Sequence, residues 1–302
     1  MTELPQRQKV ELTHRLRYWS PWLLIFFLVW VGCYLSIAPA PTELFIKNWP
    51  FIFVGFGGAI LGNISAVGGG IIFIPAMIFF YHLPPVVALK VAILSQCFGM
   101  TSGALGWLQR QKIPWSMFAL TLPGLLLGST ISSLVIHPSA LLVKVLFGPV
   151  SIFLGVLTLR STFRKKDKVI NSFELPRVGK ILLVLSSFLG GLITGWIAIG
   201  EGEIVSALLM IGFSISSTLS IALGVVLLAI NSMYLAMIHQ FFLDGLPWEI
   251  ACFTGLGCVF GARVAPFLGQ KMKTRTLKYI FSAVAIGDGI IFIAQYLLAQ
   301  QH

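Results

Sequence analysis

Two glutamates separated by one glycine, Glu201-Gly202-Glu203, stand in the middle of an apolar stretch that runs from residue 179 to 212. Carboxylates at that spacing repel an anion if both are ionised. At membrane depth they do not both ionise readily, which suits a proton relay. The competing reading is a wet vestibule in which both stay charged. Lys90, inside the apolar run Val86–Gln96, is placed to neutralise an anion, unless its ammonium snorkels to the nearby interface. Asp288, within the last apolar run, is a third carboxylate available to proton coupling, or to pairing with a base. Among uncharged groups, Asn63, Ser65, Gln96, Thr101, Ser102, Asn231, Ser232 and Tyr234 could contact a ligand. Ser and Thr in membrane helices more often bond to their own backbone, so Gln96 and Asn231 carry the most weight.

Backbone is the other candidate ligand. Gly68-Gly69-Gly70 interrupts the apolar run 49–80, and a half-helix beginning near Ile71 would offer free N–H groups and a positive dipole end to an anion. Pro75 falls near the expected start of that half-helix, where a missing donor costs little. Close helix packing is the alternative role for such glycines, and it is the preferred one for the pairs Gly124/Gly128 and Gly257/Gly261.

The elements that must position these groups are membrane helices. The chain is 57% hydrophobic and 10% charged, against about 25% charged in soluble domains, and its mean hydropathy is +0.92. Apolar segments cover roughly 19–38, 49–80, 84–109, 115–136, 140–160, 179–212, 216–242, 247–265 and 277–298, and several reach the ~20 residues that cross a bilayer. Of 21 Lys and Arg, 18 fall in 1–18, 110–112, 160–180 and 263–278. The positive-inside rule puts all four stretches in the cytoplasm. The parity of crossings then requires 49–80 and 179–212 each to return to the side from which they start. A single helix over 49–80 would be about 48 Å long against a ~30 Å hydrocarbon core, and glycines sit where it would break.

The chain also repeats itself. Pro114-Trp115, Thr121, Gly124 and Gly128 recur as Pro247-Trp248, Thr254, Gly257 and Gly261; Lys144, Phe147, Val150 and Gly155 recur as Lys278, Phe281, Val284 and Gly289. Gly58-x3-Gly62 before Gly68-Gly69-Gly70 is echoed by Gly191-x3-Gly195 before Gly200-Glu201-Gly202. The first repeat starts outside and the second inside, so they are inverted, as in secondary transporters.

Other classes fare poorly. The net charge of +11 comes from loop residues, which favours cytoplasmic loops over nucleic-acid binding. Cys33, Cys97, Cys252 and Cys258 lie in apolar runs without metal spacing. Ala38-Pro39-Ala40 mimics a signal-peptide cleavage site, but the run from Tyr18 to Ala38 is too long for such a core and reads as a retained helix. Ala285-Ile286-Gly287-Asp288 lacks the first glycine of the intramembrane aspartyl protease GxGD. Neither HExxH, nor GxSxG, nor a phosphate loop occurs. No enzyme activity, cofactor or metal is expected.

Gly58-x3-Gly62 followed by Ala66-Val67-Gly68-Gly69-Gly70 and Pro75, duplicated after a basic central loop, resembles the sulfite exporter TauE/SafE family over about residues 50 to 295. The resemblance implies a bacterial-type membrane carrier of sulfur-containing anions. The chain departs from the family pattern at Ala66, where glycine is usual, at Glu201 and Glu203, and at Lys90-Val91. These positions bear on substrate more than on membership.

The expected fold is therefore an all-α integral membrane protein: a cytoplasmic tail 1–18, a first transmembrane helix 19–38, repeat one 49–160, a basic linker 161–178 and an inverted repeat two 179–298, each repeat with a Gly-broken segment. The expected function is secondary transport of a small sulfur-containing anion such as sulfite or an organosulfonate, coupled to protons, in the bacterial inner membrane. An anion channel and a non-transporting scaffold are the alternatives. Expected substrate contacts are Asn63, Ser65, Gly68, Gly69, Gly70, Lys90, Gln96 and Asn231. Expected proton-coupling groups are Glu201, Glu203 and Asp288. Partners are the anion and the lipid bilayer, with no nucleic acid, and a homodimer is an open arrangement.

Overall fold

The computed structural model describes residues 24–36, 40–65, 68–110, 113–163, 175–271 and 274–299. The expected tail 1–18, most of the linker 161–178, and Ala66-Val67 lie outside these residues. Every regular element among them is helical.

The chain divides into two compact units, 1–49 and 50–302. In the first, α1 (Leu24–Ser36) and α2 (Pro41–Asn48) are joined where the Tyr34 hydroxyl donates to the Pro41 carbonyl. The Trp30 and Tyr34 rings stack at 5.4 Å.

Among the described residues the second unit holds ten α-helices in two runs of five. The first run is α3 (Phe51–Ser65), α4 (Gly70–Pro75), α5 (Pro85–Arg110), α6 (Trp115–Thr130) and α7 (Ala140–Phe163). The second is α8 (Arg177–Ile197), α9 (Glu201–Ala207), α10 (Ser217–Phe241), α11 (Trp248–Lys271) and α12 (Thr274–Ala299). Pro at the first position of α5 costs nothing, because that N–H has no partner within a helix. Among the described residues six stretches of 18 to 24 residues are apolar enough to cross a membrane, in α5, in α6 with the π-helical turn that carries it on to Val135, and in α7, α8, α10 and α11. The chain is a multi-pass membrane protein.

The two runs match element by element. Both short helices end in a π-helical turn, Ala76–Phe80 and Leu208–Gly212, 132 residues apart. At the same offset, His82 and Ser214 both adopt positive φ, 52° and 55°. Each reversal is closed by the same bond, Leu83 N–H to the Met77 carbonyl at 2.9 Å and Ile215 N–H to the Leu209 carbonyl at 3.0 Å. The packing obeys the same exchange. Helix α3 packs on α11, and its counterpart α8 packs on α6. Helix α5 packs on its counterpart α10, and α7 on α12. A two-fold relation between the runs gives this pattern.

Glycines let two of these pairs approach closely. A Cβ on Gly128 or Gly191 would strike the backbone of the facing helix in the α6–α8 pair, and one on Gly257, Gly261 or Gly55 would do so in the α3–α11 pair. These are small-residue helix contacts of the kind that membranes favour. The centre belongs to α5 and α10, whose best spanning stretches are 72% and 78% buried, against 33–39% for α6, α7 and α8.

Candidate functional site

The two breaks face each other at the centre of the second unit. Helix α8 stops at Ala198, which takes a left-handed conformation (φ 54°) while its N–H still reaches the Thr194 carbonyl at 2.8 Å. Gly200 follows at φ 117°, a value that L side chains rarely adopt. The chain then restarts as α9 with Glu201 and Glu203 in its first turn, where acidic groups suit the positive end of the helix dipole.

Glu203 is the centre of the arrangement. It is 5% exposed. Its Oε2 accepts the Gly200 N–H at 3.1 Å, a reach-back from the third helical residue that caps α9. Its Oε1 accepts the Gly68 N–H at 3.0 Å, across 135 residues of sequence. Gly68 and Gly200 are counterparts at the 132-residue offset, so one carboxylate joins the equivalent amides of both breaks.

Around it lie the other polar groups. The Gln96 amide donates to the Ala198 carbonyl, and Gln96 Oε1 accepts the Ser232 hydroxyl at 3.3 Å. Glu201 is fully buried; its Oε2 accepts from Asn231 Nδ2 at 2.7 Å, and Asn231 Oδ1 accepts the Ser129 hydroxyl at 2.7 Å. Glu201 Oε1 has no hydrogen-bond partner among the described residues. The Glu201 N–H donates to Thr194 Oγ1 at 3.2 Å, which ties the new helix to the last turn of the old one.

Of the residues expected from sequence, the fold thus gathers Gly68, Gln96, Asn231, Glu201 and Glu203. Gly69 and Gly70 open α4, and the Gly69 carbonyl accepts from Ile72 and Phe73 at 3.0 and 2.9 Å. The close approach made at Gly68 and Gly70 is to the Ala198 backbone: a Cβ on Gly68 would lie 2.8 Å from the Ala198 carbonyl oxygen, and one on Gly70 would strike it harder. Asn63 sits between α3 and α5, donating to the Ala59 and Gly99 carbonyls at 2.9 and 3.4 Å. Ser65 closes α3, and its side chain lies outside the described residues. Asp288, half-buried on α12, has no hydrogen bond or ion pair among the described residues.

One sequence expectation is corrected. Pro75 is the last of the six residues of α4, not an early one, and the π-helical turn begins immediately after it. A proline cannot donate to the carbonyl four residues back, and the ladder changes register at that point.

The glycine breaks, the duplicated packing and the buried carboxylates bear on ancestry. The family model described as "Sulfite exporter TauE/SafE" matches residues 51–291. The chain belongs to this family. It is also similar to the "Probable membrane transporter protein YunE" of Bacillus subtilis (strain 168), 24% identical over 263 residues, which cover 78% of this chain and 93% of that protein. No solved structure matches. As a family member the chain is a membrane transporter, and Glu201 and Glu203 occupy the second glycine block of the signature.

Sequence reasoning passed over two participants. Ser129 was unremarkable among many hydroxyl residues, and only the α6–α10 packing brings it to Asn231. His239 is fully buried near the end of α10, and neither ring nitrogen has a hydrogen-bond partner among the described residues. Its signal was available: a lone histidine inside an apolar run of 25 helical residues. Lys90, on α5, is 8% exposed, and α5 packs against α10.

Proposed function

We propose that this chain is a secondary carrier of a small sulfur-containing anion, such as sulfite, sulfoacetate or another organosulfonate, and that it couples the anion to protons through Glu203. The carrying observation is the convergence of the Gly68 and Gly200 amides on one carboxylate. Two N–H groups aimed at one anionic group in the protein interior form an anion site. In this state the protein's own Glu203 fills it.

The chemistry follows from charge. An ionised Glu203 holds both amides. A proton on Glu203 removes the charge that they stabilise and frees them for oxygens of the substrate. One anion then replaces one carboxylate charge, and the proton travels with it. Glu201, held by Asn231, which Ser129 holds in turn, is the neighbouring carboxylate through which a proton can arrive. The charge pattern supports an N-terminus in the cytoplasm, and membership of the family supports a bacterial inner-membrane location. The matched element order supports inverted repeats, with the breaks meeting near the midplane.

Reconstituted flux tests this. Wild-type protein in vesicles should accumulate sulfite or sulfoacetate against its gradient when a proton gradient is imposed, and the rate should fall as pH rises from 5.5 to 8. Glu203→Gln should flatten that profile. Flux that only ever runs downhill identifies a channel, and no flux of any of these anions leaves a scaffold. Asp244→Cys, just after α10, and Lys166→Cys, between α7 and α8 in sequence, should label from opposite faces of the membrane. Labelling from one face overturns the inverted topology.

A further inference from the structure

We infer that Lys90 and His239 form a second anion-binding station, apart from the central carboxylate, which holds a small oxyanion against the Lys90 ammonium. The inference takes the anion's identity from the carrier reading above; the station itself rests on other observations. His239 is fully buried, and neither ring nitrogen has a partner among the described residues. Lys90 is 8% exposed and makes no ion pair or hydrogen bond among the described residues. Helices α5 and α10, which carry them, pack along each other with their register fixed by the Gln96–Ser232 contact. A lysine that snorkelled to the interface would be exposed, and a lysine serving structure would face a carboxylate. Neither holds. The carboxylates closest in sequence to His239, Asp244 and Glu249, are exposed. Burying a cation beside an unsatisfied imidazole is costly, and an anion between them removes the cost.

Position gives the station a role. From the Gln96–Ser232 contact, Lys90 is six residues back along α5 and His239 seven residues on along α10. At 1.5 Å per residue both lie about 10 Å from that contact, toward the start of α5 and the end of α10. The charge count puts that end outside. An anion crossing the membrane therefore has two stops, one at the outer end of the central helix pair and one at the breaks.

The donor set defines the class of ligand. Lys90 brings one positive charge and three N–H donors, and a neutral imidazole brings one more. Several oxygens on one centre, as in sulfite, thiosulfate or a sulfonate, can accept from both residues, whereas a spherical halide has no such oxygens to divide.

Isothermal titration of the purified full chain with sulfite, thiosulfate and sulfoacetate, and with chloride as the control, tests the inference. At least one oxyanion should bind more tightly than chloride. Lys90→Gln and His239→Ala should each weaken it at least tenfold, and Lys90→Arg should hold it within about threefold. Lys144→Gln, which removes an exposed charge on α7, should change nothing. Wild-type affinity in both Lys90→Gln and His239→Ala overturns the station, as does the failure of all three oxyanions to bind the wild type. Where Lys90→Gln does not fold, the imidazole nitrogen-15 resonances of His239 decide, because an oxyanion must shift them and chloride must not. Binding that needs Lys90 in a protein without flux keeps the station and removes the carrier. Flux with binding indifferent to Lys90 and His239 does the reverse.

Discussion

The break at 68–70 and the break at 200–203 share an order of elements and differ in chemistry. Both stop one helix, restart a short one, end it in a π-helical turn and reverse through a residue of positive φ. The first is followed by isoleucines. The second carries Glu201 and Glu203. The first break therefore supplies a donor and no acceptor of its own, and the second supplies the acceptor for both. The scaffold is close to symmetric while the site is not, so the amides set the geometry and a single side chain decides what occupies it.

The comparison can be broken most severely at its contact surface. Gly70→Leu drives a side chain into the Ala198 backbone, and the breaks must separate. Overpacking of this kind costs about 1–3 kcal/mol or more. Loss of flux and a clear fall in thermal stability are expected, whereas Gly57→Leu, which meets nothing within 4 Å, should leave stability near wild type. Equal stability of the two variants by thermal denaturation would show that the breaks do not depend on this docking.

Glu203→Gln acts on the acceptor alone. The glutamine oxygen can satisfy one amide, but its NH₂ confronts the other, and a buried N–H without a partner costs about 1–3 kcal/mol. Reconstituted flux should fall severalfold and lose its dependence on pH between 5.5 and 8. A retained wild-type profile would remove Glu203 from coupling.

A swap sharpens the comparison. Ile71 is the counterpart of Glu203 at the 132-residue offset and is 2% exposed. In the double variant Ile71→Glu, Glu203→Ile, the acid is supplied from the first break to the same two amides. Part of the pH-dependent flux lost in Glu203→Ile alone should return. No recovery would mean that the two breaks are equivalent in trace only.

The smallest effect is expected from Glu201→Gln. Its oxygen can still accept from Asn231, so stability should hold within about 1 kcal/mol, and pH dependence should weaken but persist. Complete loss of pH dependence in this variant, by the same flux assay, would transfer the coupling role from Glu203 to Glu201.

Much of the frame was legible in the sequence, because hydropathy, basic loops and glycine spacing are local or periodic signals. The run 49–80 was too long for one crossing and the structure divides it into α3, α4 and a π-helical turn. The apolar run 247–265 ended six residues before α11 does, since a helix can continue into polar residues such as Gln270 and Lys271. The site was less legible. Glu203 and Gly68 were both singled out, but with opposite roles: the amide was to bind the substrate, and the carboxylate to move protons. Their contact spans 135 residues, and no spacing rule reports it. Pro75 was misplaced for a related reason, because the onset of a π-helical turn has no compositional mark. Lys90 stood out by charge, and the meaning of its burial depended on His239 from the opposite run.

The carboxylate that joins the Gly68 and Gly200 amides sits where the two-fold relation between the runs maps a point onto itself. In an assembly of two identical half-length chains, a glutamate reaching that point from one copy would be met by the same glutamate from the other, and two like charges would compete for one place. A single acid there requires that the halves be able to differ. Joining them in one polypeptide provides that freedom: one copy keeps an aliphatic residue at 71 while the other carries an acid at 203. Fusion of the halves is thus a condition for having one titratable group, rather than two or none, at the point where both breaks meet.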